Sequence, residues 1–394
     1  MGIRNCNNIM DFRRIARRRL PAPVFHYLDG GADDEWTLGR NTSAFNDYEL
    51  LPSQLSDVSN ISTKSTLFGQ PTDWPVMIAP TGASKLFHGA GELAVVRAAE
   101  KSGMVYSLST LGTATIEEVA AAGQCPKMFQ LYVFKDRGLT RDFIDRCRQQ
   151  GYVALCLTVD TPLAGNRERD IVYGMSAPPK FKWRSAISYA RHPGWLYRAL
   201  VRKDLDLVNI TSSDVGAKID SGVVEYINSQ FDRSLTWKDV EWLASQWDGP
   251  LVIKGIQTVN DCRKAANSGA TAVMLSNHGG RQLESAPAPV DCIARVADAL
   301  HDRLEIICDG GIRRGTHIVK ALALGANACS IGRGYLYPLA AGGEAGVERG
   351  LELLRNELER TLALLGCDNV DKLGERFIQH RPQAPVAARQ IAQL

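Results

Sequence analysis

The stretch Leu275-Ser276-Asn277-His278-Gly279-Gly280-Arg281-Gln282-Leu283 closes an apolar run that starts at Ala272. Val273 to Leu275 read as a short buried strand, and the switch to polar residues and glycine marks where it leaves the core. A titratable imidazole and a guanidinium beside two glycines form a site, since α/β proteins place chemistry at the polar loop that follows a strand. The plainer reading is a satisfied core histidine beside a surface ion-pair arginine. It loses weight because other segments repeat the pattern.

Working outward, eight short apolar runs end in polar or glycine residues: Val76 to Pro80, Met104 to Thr110, Met128 to Val133, Ala154 to Asp160, Leu251 to Gly255, Ala272 to Asn277, Glu305 to Gly311 and Cys329 to Gly332. Amphipathic, helix-length segments follow most of them, at Gly91 to Lys101, Ile116 to Ala122, Leu139 to Gln150, Val259 to Ser268, Pro289 to Leu300 and Gly315 to Leu324. Each parallel strand pair needs a crossover, and closing the sheet removes exposed edges. The expected fold is therefore α/β, a TIM (β/α)8 barrel, with its site at the C-terminal ends of the strands.

A chain of 394 residues fits one such barrel with additions. Met1 to Gln70 reads as a largely helical N-terminal cap, whose Arg13, Arg14, Arg17, Arg18 and Arg19 belong to an amphipathic helix and not to a targeting signal. The apolar fraction of 45% supports a large core, and a net charge of +3 gives no reason to expect nucleic acid. Nine cysteines lie scattered without metal-ligand spacing, as expected for buried thiols in a reducing compartment, and no metal site is expected. No stretch approaches the roughly 20 apolar residues that cross a bilayer.

The gap between the fourth and fifth runs, roughly 90 residues, exceeds what one crossover needs. It predicts a long insertion after strand 4, over 171–230. Ile171 to Lys203 carries Lys180, Lys182, Arg184, Arg191, Arg198, Arg202 and Lys203 with no acid, together with Phe181, Trp183, Tyr189, Trp195 and Tyr197. Basic plus aromatic composition points to an interfacial membrane anchor, against the alternative of a basic lid or subunit contact. Ile210 to Ser229 is polar and reads as a mobile loop.

The polar strand ends supply the chemistry. Gln130 and Tyr132 share one face of the third run, as do Thr158 and Asp160 on the fourth. A buried Asp160 needs a partner, and His278 is the natural one, because a carboxylate on one ring nitrogen fixes the tautomer and raises the basicity of the other. Lys254 places a positive charge in the barrel mouth, and Arg167 can join Arg281 as a guanidinium pair for a carboxylate. Asp309-Gly310-Gly311-Ile312-Arg313-Arg314-Gly315 and Gly332-Arg333 gather glycine amides and arginines at the last two strand ends, where barrels hold phosphate. No Gly-x-Gly-x-x-Gly fingerprint follows a strand, which favours a mononucleotide over a dinucleotide. Flavin mononucleotide (FMN) is the leading cofactor.

With these motifs in view, the chain resembles the FMN-dependent L-2-hydroxy acid oxidases and dehydrogenases, a family that includes glycolate oxidase, L-lactate dehydrogenase and mandelate dehydrogenase. The resemblance runs through Tyr27-Leu28-Asp29-Gly30-Gly31-Ala32, Ala79-Pro80-Thr81, Leu108-Ser109-Thr110, Phe129-Gln130-Leu131-Tyr132, Leu157-Thr158-Val159-Asp160, Ser276 to Leu283, Asp309 to Gly315 and Gly332-Arg333. It implies His278 as active-site base, Asp160 as its partner, Arg167 and Arg281 on the substrate carboxylate, and Tyr27 and Tyr132 on the substrate hydroxyl or carboxylate. It implies flavin contacts at Pro80, Thr81, Ser109, Gln130, Thr158, Lys254 and Ser276, with Asp309, Gly311, Arg313, Gly332 and Arg333 around the phosphate.

Gly82 and Leu111 occupy the positions where this family tunes its side-chain pocket, and glycine leaves room for an acid larger than glycolate. The resemblance points to L-lactate or L-mandelate and to a homotetramer. The basic insertion adds peripheral attachment to the inner face of the cell membrane, with quinone as electron acceptor. An oxygen-using oxidase is the alternative. An FMN-barrel isomerase or a flavin-carrying module without turnover would leave two arginines beside the base unexplained.

Overall fold

The computed structural model describes residues 2–175, 183–200, 207–211 and 232–381. Eight parallel strands form its centre: β1 (Val76–Ile78), β2 (Tyr106–Ser109), β3 (Lys127–Leu131), β4 (Ala154–Thr158), β5 (Leu251–Ile256), β6 (Ala272–Ser276), β7 (Glu305–Asp309) and β8 (Ala328–Ile331). Neighbours in sequence pair in order around the ring, and β8 pairs with β1 through Cys329 and Val76. Met77 and Val105 bridge the last seam, with the Ile78 amide donating to the Val105 carbonyl at 3.0 Å. The barrel is closed, as the eight runs predict.

Strand period explains where chemistry sits. The barrel interior is filled by Met77, Val105, Met128, Cys156, Val252, Met274, Ile307 and Ala328, plugged from below by Leu67 and Phe68 of a hairpin whose strands are Ser65–Leu67 and Gln70–Thr72. Two residues farther along six of these strands, on the same face, stand Gln130, Thr158, Lys254, Ser276, Asp309 and Ser330. The apolar layer thus forms a dry floor beneath a polar one.

The cap is less helical than expected. Helices α1 (Ile9–Arg19), α2 (Ala22–Asp29) and α3 (Trp36–Ser43) form it, but Tyr48–Leu50 is a strand paired antiparallel with Ile378–His380. In α1 the Asn8 side chain accepts from the Met10 and Asp11 amides, and Ile9, Phe12, Ile15 and Ala16, spaced for one helical face, are buried. Each large apolar side chain so buried contributes about 1.5–3 kcal/mol. Their partner is the 33-residue C-terminal helix Arg333–Leu365, kinked at Gly342 and Gly343. That helix and Trp237–Gln246 ahead of β5 are absent from the sequence reading.

After β4 the chain forms helices Glu168–Tyr173, Trp183–Ala190 and Pro193–Leu200. The last two pack against the protein: the Ala22 amide donates to Ser188 Oγ at 2.8 Å and Trp195 Nε1 to the Leu86 carbonyl at 2.8 Å. Tyr189 stacks on Trp195, so these two aromatic rings of the proposed anchor are spent on internal contacts, whereas Ile187 and Tyr197 are exposed. Lys180, Phe181, Lys182, Arg202, Lys203 and nearly all of the loop expected over Ile210 to Ser229 lie outside the described residues. Among the described residues no helix is long and apolar enough to cross a membrane. All nine cysteines are buried free thiols.

Candidate active site

A cavity of about 680 Å³ opens at the C-terminal ends of the strands. Tyr27, Pro80, Thr81, Gly82, Ser109, Leu111, Tyr132, Arg167, Lys254, His278, Arg281, Asp309, Gly311, Arg313, Gly332 and Arg333, all singled out from sequence, line it. Asp160, Gln130, Thr158 and Ser276 do not line it and stand behind its wall.

His278 sits just past β6 with φ 59°, followed by Gly279 at 67° and Gly280 at 74°. Three consecutive left-handed residues reverse the chain, and two of them are glycines because a side chain is costly there. His278 Nδ1 lies 3.1 Å from Asp160 Oδ1. Burial, aided by Lys254, lowers the imidazole pKa below its ordinary value against the pull of Asp160. Burial alone would raise Asp160, but His278 and Lys254 hold its carboxyl below the ordinary range. The result is a neutral imidazole whose Nδ1–H donates to a carboxylate, leaving Nε2 as a base.

Asp160 fits because β5 bulges at Gly255, where φ is +97°. A Cβ there would lie 2.6 Å from Asp160 Cγ, so only glycine accommodates the approach. The same bulge follows Lys254, whose Nζ donates to Ser276 Oγ at 2.9 Å and pairs with Asp309 Oδ2 at 3.2 Å. Burial works against the ammonium, but Asp309 and Asp160 outweigh it and raise its pKa.

Two of the residues expected around the flavin also have partners within the protein. Asp309, expected in the phosphate cradle, has its Oδ2 engaged by Lys254 and by Ser276 Oγ at 2.7 Å, since a carboxylate beside a buried ammonium is worth more than one beside an anion. The Ser276 hydroxyl, expected on the flavin, also accepts from the His278 amide at 3.0 Å and is fully engaged within the protein.

The guanidiniums are handled differently. Arg281 Nη1 donates to the carbonyls of Tyr27 and Gly30 at 2.6 and 3.2 Å, its guanidinium lies over the Tyr27 ring at 4.9 Å, and among the described residues no carboxylate forms an ion pair with it. Burial and then Arg167 pull its pKa down. Arg167 approaches Asp170 at 3.9 Å, and its Nε is buried without a partner. Arg333 rests on the carbonyls of Leu28, Gly279 and Gly30, and Arg313 on that of Ile312. Four half-buried guanidiniums, with Asp170 at 3.9 Å from Arg167 as the nearest ion-pair partner among the described residues, make a site for anions.

A scan against protein families matches the FMN-dependent dehydrogenase model over residues 16–380. The chain belongs to this family. A putative L-lactate dehydrogenase of Mycobacterium tuberculosis is 43% identical over 382 residues, covering 96% of this chain and 91% of that one. Glycolate oxidase 3 of Oryza sativa is 40% identical over 371 residues, covering 94% and 95%. The crystal structure of a monotopic membrane (S)-mandelate dehydrogenase superposes with a TM-score of 0.90 at 35% identity, over 95% of this chain and all of that one.

Family membership makes this an FMN-dependent oxidoreductase, and the cavity fits that cofactor. Gln130 Nε2 and Thr158 Oγ1 are buried polar atoms without a hydrogen-bond partner among the described residues, and Thr158 pairs with Lys254 in the strand ladder. The heteroatom edge of a flavin ring would satisfy them, and Arg313 and Arg333 suit its phosphate.

Gln282 is the main residue that sequence reading passed over. Its Nε2 donates to the carbonyls of Asp160 and Leu163 at 2.7 and 2.8 Å, and its Oε1 accepts from the Gly165 amide at 3.0 Å. It ties the loop bearing Arg167 to the loop bearing the base. Only its place within the opening nonapeptide signalled it.

Proposed function

We propose that the chain oxidises an L-2-hydroxy acid of the lactate or mandelate type to the 2-oxo acid, with a membrane quinone as electron acceptor. The observation that carries this reading is the juxtaposition of a carboxylate-held imidazole with Arg281, a half-buried guanidinium that has no ion-paired carboxylate among the described residues. An alcohol that also bears a carboxylate answers both groups at once. Leu111 stands against Gly82, and Phe87, Leu163 and Leu207 also line the cavity, which suits an apolar substituent.

Oxidation removes two electrons and two protons from the substrate. FMN, when bound, would supply the acceptor for the electron pair and for the second proton. His278 Nε2 takes a proton from the carbinol group while Asp160 keeps the Nδ1 proton in place and stabilises the imidazolium that forms. Arg281 and Arg167 orient the carboxylate, Tyr27 and Tyr132 flank it, and Lys254 supplies fixed positive charge within the barrel mouth.

Peripheral attachment to the membrane through Ile171 to Lys203, on the cytoplasmic side, belongs to the same reading. It draws on the excess of basic residues there, on the exposed Ile187 and Tyr197, and on the monotopic mandelate dehydrogenase relative. A homotetramer completes the proposal. Reoxidation by oxygen is a second reading, favoured by the similarity to glycolate oxidases.

Anaerobic titration of the yellow holoenzyme with glycolate, L-lactate and L-mandelate tests substrate and class together. Bleaching by lactate or mandelate at lower concentration than by glycolate is expected, and flavin that stays oxidised with all three would refute the reading. Stopped-flow reoxidation by a quinone against oxygen then separates the two acceptors.

A further inference from the structure

Asp29 ends α2, where the helix dipole disfavours a negative side chain by about 0.3–1 kcal/mol. It is also buried, at 5% exposure, so its charge must be compensated. Arg13 grips it with Nε at 2.5 Å and Nη2 at 2.7 Å, Arg169 Nη1 donates at 3.1 Å and Tyr337 Oη donates at 2.7 Å. Four hydrogen bonds to one carboxylate exceed what holding a helix end requires.

The partners come from the cap, from the chain after β4 and from the helix after β8. Asp29 is two residues past Tyr27, Arg169 two past Arg167, and Tyr337 one helical turn past Arg333. On the cavity side, the backbone flanking Asp29 is a platform of carbonyls. Tyr27 and Gly30 accept from Arg281, Leu28 and Gly30 accept from Arg333, and the Gly30 oxygen takes both guanidiniums at 3.2 and 2.6 Å.

We propose that Asp29 is a positioning residue that places Arg281 and Arg333 together, coupling the affinity for the hydroxy acid to the affinity for the flavin phosphate. Its side chain anchors the platform from outside, and the adjoining carbonyls hold the two arginines inside. Electrostatics run the same way. Burial lowers the pKa of Arg313 and Arg333, and Asp29 is among the groups that push back. Its own repulsion of a phosphate is offset by Arg13 and Arg169, so loss of position outweighs relief of repulsion. Hydroxy acid affinity enters through the proposed function, whereas flavin affinity does not depend on it.

The test is Asp29→Asn, close to isosteric and uncharged, in the purified holoenzyme. FMN Kd is read from recovery of free-flavin fluorescence on dilution, and kcat and KM are measured with L-lactate and L-mandelate. Both FMN Kd and KM are expected to rise about tenfold with kcat within about threefold, since hydrogen bonds to charged groups are weakened and not the chemical step. A lowered melting temperature with FMN Kd and KM unchanged would reduce Asp29 to a fold stabiliser and overturn the proposal. A rise in only one of the two constants also overturns it, because the arginines would then not share a support. If the wild type turns over neither acid, the proposed function fails and the coupling to hydroxy acid affinity falls with it, while the FMN arm still decides whether Asp29 supports Arg333. Should Asp29→Asn yield no soluble protein, Tyr337→Phe, which removes one donor, is expected to raise both constants roughly two- to threefold, and no change in either is decisive against the coupling.

Discussion

Two cations, one buried and one half-buried, share one cavity and are treated in opposite ways. Lys254 sits on the barrel floor with Asp309 at 3.2 Å and Ser276 at 2.9 Å, and its charge is secured by the protein itself. Arg281 hydrogen-bonds backbone carbonyls and lies on an aromatic face, and burial and Arg167 outweigh the support that Tyr27 and Asp170 give its charge from a distance. A guanidinium stays protonated even so, which leaves a charge that the fold has not balanced. A cation with an internal partner can act on a group that carries no full charge of its own. One without a partner waits for an anion, and the protein sacrifices stability to keep it waiting.

The base lies between these two treatments, and removing it has the largest effect. His278→Gln is expected to lower kcat by a factor on the order of 10² to 10⁴ while flavin and both cations stay in place, checked by single-turnover bleaching and the visible spectrum. In the wild type, kcat/KM falls as pH drops through the His278 pKa. Burial puts that limb below 6.5, because the neutral imidazole is the active form and the lowered pKa extends its range to acid. The limb should vanish in the glutamine variant.

The next pair breaks the contrast directly. Arg281→Met should raise KM for the hydroxy acid about 10²-fold or more, because a partly desolvated charge pair with the substrate is lost. It should leave unfolding free energy within about 1 kcal/mol of wild type, since an unbalanced charge goes with it. Asp309→Asn strands the lysine instead, and is expected to cost about 3–5 kcal/mol in chemical denaturation. Equal stability losses in the two variants would erase the distinction.

The smallest expected effect sharpens what lies between the cations. An alanine Cβ at position 82 would stand 3.0 Å from Leu111 Cβ and 3.1 Å from its carbonyl oxygen, so Leu111 must yield into the cavity. Gly82→Ala should shift the ratio of kcat/KM for lactate over mandelate upward by roughly tenfold, about one methylene of pocket. An unchanged ratio would place the substituent elsewhere.

The barrel was legible because its signals are local. Each strand is an apolar run stopped by a polar residue or glycine, and period two puts Gln130 above Met128 and Lys254 above Val252 without any tertiary knowledge. His278 with Asp160 was legible because a buried acid needs a partner and few were on offer. What escaped depends on distance along the chain. Asp29 meets partners 16, 140 and 308 residues away, and nothing local distinguishes it from a solvated helix end. The partnership of Asp309 with Lys254 escaped for the same reason, its glycine-rich surroundings pointing to phosphate. The cap beyond Asp47 was misjudged as helical because Tyr48–Leu50 is a strand only by virtue of Ile378–His380 at the other end of the chain.

The reversal at His278, Gly279 and Gly280 has one more consequence. The ring nitrogen reaches its working place through the path of the main chain, and a choice of rotamer on an ordinary strand end would not deliver it there. Transplanting this base to another barrel would require carrying the whole ribbon, glycines and Gln282 tether included, and a histidine grafted alone would face the wrong way.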